Sequence, residues 1–104
     1  MTKRDIVEAL ATTKPHISKS DIGDLVQQSL DLITEAMENG EKVELRRFGV
    51  FELQVREERL GRNPATPESE VVIPRRTVVK FKPGSEMKAR VAGRWGEQGS
   101  DAHS

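Results

Sequence analysis

Residues 56–70 read REERLGRNPATPESE, and this stretch decides the fold that the sequence predicts. Among its fifteen residues only Leu60 and Ala65 are apolar. The residues that favour turns are Gly61, Asn63, Pro64 and Pro67. A segment this polar buries too little apolar surface to offset the entropy that ordering removes. We therefore expect residues 56–76 to project from the body of the protein as a mobile β-hairpin arm.

Strands of a small antiparallel sheet are predicted on both sides of this arm, because apolar and polar residues alternate there. On the first side the alternation runs from residue 43 to residue 55 around a turn at residues 46–51. The return strand is predicted over residues 71–81. Pro74 interrupts this strand, which a ribbon with unpaired outer edges tolerates.

Two helices are predicted before the sheet. Thr2 followed by Asp5 is typical of a capped helix start, and the apolar stripe behind it predicts a short helix over residues 3–12. Ser18 and Asp21 repeat this signal for a second helix, whose apolar residues recur at three- and four-residue steps until Gly40. The stripe of the second helix is wide enough to pack against its own chain and against another subunit.

After the sheet the sequence predicts a short helix that starts at Pro83, in which Met87 and Val91 lie one turn apart. Residues 93–104 mix glycine, serine and charged residues, and we expect them to form a disordered tail. The folded part is therefore predicted to be one domain over residues 1–92.

Composition limits the classes of protein to which this chain can belong. Of its 104 residues 35% are apolar and 33% charged, so one chain is short of material for a large core, and folding with a partner chain would supply it. The absence of cysteine excludes disulfides and thiolate zinc sites and fits a reducing compartment. The first ten residues lack the apolar run of a signal peptide, and no stretch is long enough to cross a bilayer, so we expect a cytoplasmic protein without a membrane partner.

Charge is unevenly distributed along the chain although the formal net charge is zero. Residues 1–41 hold 4 basic and 8 acidic side chains, residues 42–94 hold 13 and 7, and residues 95–104 hold 0 and 2. A polyanion responds to the local field within a Debye length of roughly 8–10 Å, so the basic segment can bind where the average charge would not. Charge alone is also compatible with a charged face that contacts only solvent and binds no polyanion.

Enzymatic functions lack the residues that they need. The two histidines, His16 and His103, lie beside a proline break and in the tail, so no histidine triad or metal cluster is predicted. The carboxylates lie at helical spacing on polar faces, and no glycine-rich phosphate loop is present. We expect a protein that is not an enzyme and that uses no cofactor or metal.

The arm carries basic residues on both of its sides. They are Arg56, Arg59 and Arg62 before the tip and Arg75, Arg76 and Lys80 after it. A thin ribbon with arginines along its length fits a nucleic-acid groove, where each neutralised phosphate releases counterions. The ring of Pro64 at the tip could wedge between base pairs and kink a duplex. Alternatively, Pro64 is an ordinary turn residue that does not insert into DNA.

Three motifs resemble the bacterial histone-like HU and integration host factor family. They are RFGVF at residues 47–51, GRNP at residues 61–64 and FKPG at residues 81–84, in the family's order and at its separations. This family is a standard example of proteins that bend DNA from the minor groove. Bending from the minor groove is therefore an implication of the resemblance and not of the arm's composition.

The resemblance implies an α+β fold that forms an intertwined dimer. Two N-terminal helices would interlock with those of the partner, below a three-stranded antiparallel sheet with a long protruding β-hairpin arm and a short C-terminal helix. Pro64 would be the intercalating residue. Arm contacts to DNA would come from Arg56, Arg59, Arg62, Asn63, Arg75, Arg76 and Lys80. Contacts from the body, mainly to phosphates, would come from Lys3, Glu44, Arg46, Arg47, Lys82, Gly84, Ser85 and Lys88.

Within this family, residues 1–3 and the run VELR at residues 43–46 resemble the beta subunit of integration host factor more than HU. This makes Glu44 and Arg46 candidates for sequence selection at the base of the arm. Their alternative is a cross-strand salt bridge, worth about 0–1 kcal/mol if exposed. The sequence departs from the family pattern at Arg47 and Pro67, which stand where glycine is usual, and in the tail with Trp95. We expect Arg47 to disturb the local turn and Pro67 to stiffen the tip of the arm.

The implied function is that of an architectural protein of the nucleoid, which bends duplex DNA, compacts the chromosome and assists recombination, replication or transcription complexes. Two other binding functions are weighed against it. Single-stranded nucleic acid would need exposed aromatic residues for base stacking, and residues 56–80 have none. A hairpin that adds to the sheet edge of another protein would bind in a way that tolerates salt. The sequence does not distinguish a homodimer from a heterodimer with a paralogous subunit.

Overall fold

The structure is a computed structural model that describes residues 1–96, apart from the side chain of Pro67. Its elements in chain order are α1 (Lys3–Thr13), α2 (Lys19–Glu38), β1 (Val43–Leu45), β2 (Gly49–Arg56), β3 (Arg59–Asn63), β4 (Thr66–Ile73), β5 (Arg76–Pro83) and α3 (Ser85–Trp95). The chain divides into two compact units, a helical unit of residues 1–39 and an α+β unit that begins at residue 40.

Both helices of the helical unit start at the residues that the sequence predicts. The Thr2 hydroxyl accepts a hydrogen bond from the Asp5 N–H at 3.3 Å, and the Asp5 carboxylate accepts one from the Thr2 N–H at 2.8 Å. This reciprocal pair is a capping box. At the start of α2, Ser18 Oγ accepts from the Asp21 N–H at 3.0 Å. α2 is followed by Gly40, whose φ of 78° is one that glycine adopts without strain.

The helical unit has little core of its own. Among residues 1–96, the buried hydrophobic side chains are those of Ile22 and Met37 on α2. On the same helix Leu25 is 57% exposed and Leu32 is 65% exposed. The packing of α1 against α2 therefore covers part of the apolar stripe of α2 and leaves the rest uncovered. This is the surface that the width of the stripe predicts for another subunit.

The α+β unit contains an antiparallel sheet with the strand order β1-β2-β5. The register places Phe51 opposite Phe81, and the centres of their rings lie 4.9 Å apart. The ring of Phe48 lies 5.3 Å from that of Phe81 and completes an aromatic cluster. Gly49 makes room for this cluster, because a Cβ there would lie 2.6 Å from the Phe81 ring and 2.6 Å from the Lys82 carbonyl oxygen.

A second, two-stranded sheet of β3 and β4 forms the hairpin within the predicted arm. The three-stranded sheet ends at the pair Arg56 and Arg76, and the hairpin begins at the pair Arg59 and Ile73. The interruption predicted at Pro74 in the return strand is present, because the chain forms β4 and β5 with a break at residues 74–75, and the two strands belong to different sheets. Pro74 explains the break, since proline has no N–H to donate to a strand ladder.

The last helix, α3, differs at both ends from its prediction. Pro83 is the final residue of β5, and Gly84 is the N-cap of α3. α3 continues to Trp95, so the predicted start of the tail at residue 93 is wrong; the Gly96 N–H still donates to the Ala92 carbonyl. Gly96 then takes a φ of 74°, which ends the helix. The remainder of the predicted tail, residues 97–104, lies outside the described residues. No helix within residues 1–96 has both the length and the apolar character needed to cross a membrane.

Candidate nucleic-acid interface

The tip of the arm is a tight turn that presents Pro64 to solvent. Asn63 pairs with Thr66 across the turn, and Pro64 and Ala65 between them are exposed. The side-chain oxygen of Asn63 accepts a hydrogen bond from the Ala65 N–H at 2.9 Å, a contact typical of asparagine in turns. Asn63 therefore holds the tip in shape, in addition to the role in DNA contact that the sequence predicts for it.

The hairpin behind the tip carries Arg59 and Arg62 on β3, both exposed. Because side chains alternate along a strand, residues three apart point to opposite faces of the hairpin. Arg62 lies opposite Glu70 in the register, which shifts immediately after it. A Cβ on Gly61 would lie 2.8 Å from the Ile73 Cδ1 atom, so glycine lets the two strands of the hairpin approach closely at that side chain.

The base of the arm brings two like charges together. Arg56 and Arg76 are directly opposite each other in the antiparallel pair of β2 and β5, and both are exposed. Like charges at facing positions destabilise a sheet unless a counter-charge lies between them. Next to this pair, the guanidinium of Arg75 lies 3.5 Å from the carboxylate of Glu57. The base of the arm is thus a site at which an anion would relieve repulsion.

On the three-stranded sheet, Lys80 and Lys82 of β5 flank Glu52 of β2. Lys80 is opposite Glu52 in the register, and the Lys82 ammonium lies 2.7 Å from the Glu52 carboxylate. The hydrogen bond from Lys82 lowers the pKa of Glu52 from its ordinary value, against a smaller opposing effect of burial. The positive charges of Lys82, Lys42 and Lys80 lower this pKa further. Lys82 is therefore held by a carboxylate in the free protein.

The β1–β2 turn forms although arginine occupies its glycine position. The Phe48 N–H donates to the Leu45 carbonyl at 2.9 Å, and Arg47 has a φ of 74° at the third residue of the turn. Type II turns need a positive φ at this position and therefore favour glycine there. The Arg47 guanidinium is held by Glu86, with Nε 2.7 Å from Oε1.

The residues Glu44 and Arg46, predicted to select sequence, do not pair with each other. The Glu44 carboxylate lies 3.5 Å from the Lys42 ammonium. This ion pair joins residues two apart in the chain, so it differs from the cross-strand salt bridge that the sequence left open as the alternative. Arg46 is exposed in the turn between β1 and β2.

The start of α3 is fixed to this turn by a backbone hydrogen bond. The Gly84 N–H donates to the Phe48 carbonyl at 2.9 Å, so this amide is already used and a phosphate would need the amides that follow it. The first N–H groups of a helix have no acceptor within the helix. The N–H groups of Ser85 and the residues after it can therefore donate to a phosphate. Lys88 follows on the same helix and is exposed.

With this geometry in place, comparison with known proteins identifies the family. The family of bacterial DNA-binding proteins matches residues 1–92. The chain belongs to this family. The resemblance to HU and integration host factor is thereby confirmed, and with it the α+β fold of the single chain.

Two relatives of the bacterial DNA-binding family are integration host factor beta subunits. The one from Halorhodospira halophila is 43% identical over 91 residues, which cover 88% of each chain. The one from Methylococcus capsulatus is 45% identical over 91 residues, which cover 88% of this chain and 95% of the relative. The expected similarity to the beta subunit is thus present across most of the chain.

Two solved structures of the family have the same fold. An HU–DNA cocrystal structure from Anabaena matches with a TM-score of 0.79 and 36% identity, over 88% of this chain and 98% of that chain. An HU variant from Thermotoga maritima matches with a TM-score of 0.62 and 32% identity, over 88% of this chain and 99% of that chain.

The structure brings most of the predicted DNA contacts of this family member into the α+β unit. Lys3 is the exception, because it belongs to the helical unit, where its ammonium donates to the Gln27 side-chain oxygen. Sequence reasoning placed Arg94 and Trp95 in the tail, because it ended the folded domain at residue 92, whereas the structure places both on α3. Continuation of the helical pattern through Gly93 to Gly96 was the signal that could have found them. Within residues 1–96 no three His, Asp or Glu side chains are grouped as a metal site requires.

Proposed function

We propose that this protein is an architectural DNA-binding protein that acts as a dimer, encloses duplex DNA with two hairpin arms and bends it. The observation that carries this proposal is the hairpin of β3 and β4, which is narrow, bears exposed arginines and ends in exposed Pro64. A ribbon of this kind fits the minor groove, and an apolar wedge at its tip can unstack a base step at a cost of a few kcal/mol.

The charge of the arm supports DNA as the ligand. Arg56 and Arg76 face each other at its base, and Arg59 and Arg62 extend the basic surface toward the tip. Each phosphate that such a side chain neutralises releases counterions and adds about 0.9 to the slope of log affinity against log salt. We infer that these arginines and Lys80 contact the DNA backbone, and that Lys3, Arg46, Lys82, Ser85 and Lys88 extend the contacts over the body.

The dimer supports both folding and bending. Leu25 and Leu32 are exposed on α2, and a partner chain would bury them. Two chains provide two arms, and the kinks from two wedges add within one site. Smooth bending of a site of 20–30 base pairs by 40–90° costs about 1–6 kcal/mol, which the extra arm contacts must offset. Sequence preference then arises mainly from how easily a site kinks, with a contribution from Glu44 and Arg46.

This function places the protein in the cytoplasm, on the nucleoid, where it would compact the chromosome and assist recombination, replication or transcription complexes. It involves no catalysis. The features that support it are the family's DNA-binding character and the charge distribution of the α+β unit.

The test measures the distance between two dyes at the ends of a short duplex while protein is added, at two salt concentrations. We expect the wild-type protein to shorten this distance and the Pro64→Ala variant to shorten it less at saturation. Pro15→Ala is the matched control, because Pro15 is exposed in the turn between α1 and α2, outside the arm.

The outcomes separate the parts of the proposal. Equal bending by Pro64→Ala and the wild type would remove the wedge, whereas affinity that does not change with salt would remove the phosphate contacts. Affinity that does not change with salt is the result expected if the hairpin docks on another protein instead of DNA.

A further inference from the structure

The arm joins the rest of the α+β unit through two short segments that lie outside both sheets. The three-stranded sheet ends at the pair Arg56 and Arg76, and the hairpin begins at Arg59. Between these points lie residues 57–58 on one side and residues 74–75 on the other, and none of the four belongs to a strand. We call these four residues the junction. No strand ladder therefore runs through it.

Bending at the junction costs few backbone hydrogen bonds. Within a ladder, a sharp bend breaks or distorts the bonds that join the strands, but the register gives the junction no such pairs. Pro74 has no N–H with which to form one. Hinges in proteins are typically a few residues at the ends of elements, where they absorb a change in φ and ψ. The junction has this character, and the arm can turn there while both sheets stay intact.

An ion pair connects the two sides of the junction. The Nε atom of Arg75 lies 3.5 Å from the Oε1 atom of Glu57, and the two side chains are 65% and 76% exposed. An ion pair that is this open to water is weak and is screened by salt. It can therefore favour one orientation of the arm and still exchange readily for a contact with another anion.

Positive charge predominates around the junction. Residues 56–59 and 73–76 contain four arginines and two glutamates, and two of the arginines face each other in the ladder. The distance of 3.5 Å between Arg75 and Glu57 is longer than the roughly 2.7–2.9 Å of a charge-assisted hydrogen bond. Phosphate oxygens bind guanidinium groups at such short distances, often in pairs. A phosphate that approaches the junction can therefore bind Arg75 more closely than Glu57 does.

We propose that the junction is the hinge of the arm, and that Glu57 restrains it by holding Arg75 until a phosphate of bound duplex DNA replaces the carboxylate. This inference rests on the proposed function, because the duplex supplies the phosphate. The ion pair favours the orientation of the arm in the free protein, and the phosphate favours the orientation in the complex, so the two contacts differ between the states as a switch requires. Glu57 acts through Arg75 and is thus a positioning residue.

The first measurement needs no DNA. The chain has no cysteine, so Ala65→Cys at the exposed tip gives one attachment site for a dye, whose anisotropy reports the motion of the arm on the nanosecond scale. Glu57→Gln removes the restraint and should lower the anisotropy. Glu58→Gln is the matched control, because it removes the same charge from the next residue, outside this ion pair, and should leave the anisotropy unchanged. Added salt should lower the wild-type value toward that of Glu57→Gln.

The second measurement is the affinity of the full-length protein for a duplex at several salt concentrations. Glu57→Gln should bind up to about fivefold more tightly than Glu58→Gln, the factor that corresponds to the upper limit for an exposed ion pair. In the Glu57→Gln background, Arg75→Gln should lower the slope of log affinity against log salt by about 0.9, the value for one phosphate. In the wild-type background it should lower the slope by less, because the released Glu57 takes up a cation from solution.

Two results would overturn the proposal. One is equal anisotropy of the Glu57→Gln and Glu58→Gln variants, which would show that the ion pair does not restrain the arm. The other is an equal effect of Arg75→Gln on the salt slope in the two backgrounds, which would show that phosphate does not compete with Glu57. Failure of the proposed function has a different signature, namely a wild-type protein that neither binds nor bends a duplex, whatever the anisotropy of its arm.

Discussion

Replacing Arg47 by glycine should raise the free energy of unfolding, although glycine usually weakens a fold. Arg47 has a φ of 74°, in the left-handed region, which costs a residue with a Cβ about 1–2 kcal/mol. Its ion pair with Glu86 contributes less, because the two side chains are 74% and 36% exposed and such surface pairs are worth about 0–1 kcal/mol. Glycine itself loses about 0.5–1 kcal/mol of chain entropy on folding, so the expected net gain for Arg47→Gly is at most about 1 kcal/mol.

Arg47→Ala separates the backbone effect from the ion pair. Alanine keeps the strained φ and loses the contact with Glu86, so this variant should be less stable than the wild type by about 0–1 kcal/mol. The glycine variant should then exceed the alanine variant by roughly 0.5–1 kcal/mol, because the relieved strain outweighs the extra entropy that glycine loses, and the ion pair cancels from this difference. At an ordinary position glycine is worse than alanine by about 0.5–1 kcal/mol, so the sign of the difference is diagnostic.

Urea unfolding of the full-length variants at one protein concentration measures these differences, since the stability of a dimer depends on concentration. The slopes of the transitions must agree for the midpoints to be compared. Glu86→Gln, alone and with Arg47→Ala, closes a double-mutant cycle for the ion pair. An alanine variant as stable as the glycine variant would refute the reasoning, because the positive φ would then carry no strain.

Three further predictions concern the sheet beneath the arm. Gly49→Ala should lower the stability by about 1–3 kcal/mol or more through overpacking, because its Cβ would lie 2.6 Å from the Lys82 carbonyl oxygen and from the Phe81 ring. Gly23→Ala on α2, where a Cβ meets nothing within 4 Å, should instead stabilise by about 1 kcal/mol, and urea unfolding compares the two. Because folding lowers the pKa of Glu52, the ionised carboxylate stabilises the folded protein. This stabilisation is complete above the unfolded-state pKa of 4.5 and is lost as the pH falls through the lower pKa of the folded state. Unfolding of the wild type and Glu52→Gln from pH 7 to pH 2 should therefore converge in acid, and curves that stay parallel would contradict this. Glu52→Gln also frees Lys82, so the affinity for duplex DNA should rise at neutral pH. The slope of log affinity against log salt should steepen by up to about 0.9, and an unchanged slope would exclude a phosphate contact by Lys82.

Patterns within a few neighbouring residues determined much of this structure. The caps at Thr2 and Ser18 and the period of α2 were confirmed, because a helix start depends on side chains two or three residues away. The polar stretch around Gly61 and Pro64 likewise predicted the hairpin, since turn residues constrain their own backbone. The motifs at residues 47–51, 61–64 and 81–84 identified the family, which the comparisons confirmed.

Only the tertiary structure decided which charges meet. Glu52 of β2 pairs with Lys82 of β5, and Glu86 of α3 pairs with Arg47 of the β1–β2 turn. Sheet register and helix docking set these distances, and neither can be inferred from the residue pattern within a single helix or strand. The same holds for the contact between the β1–β2 turn and α3, which the hydrogen bond from the Gly84 N–H to the Phe48 carbonyl fixes. A residue's own neighbours in the chain fix its backbone, whereas the partners of its side chain depend on which distant segments fold against it.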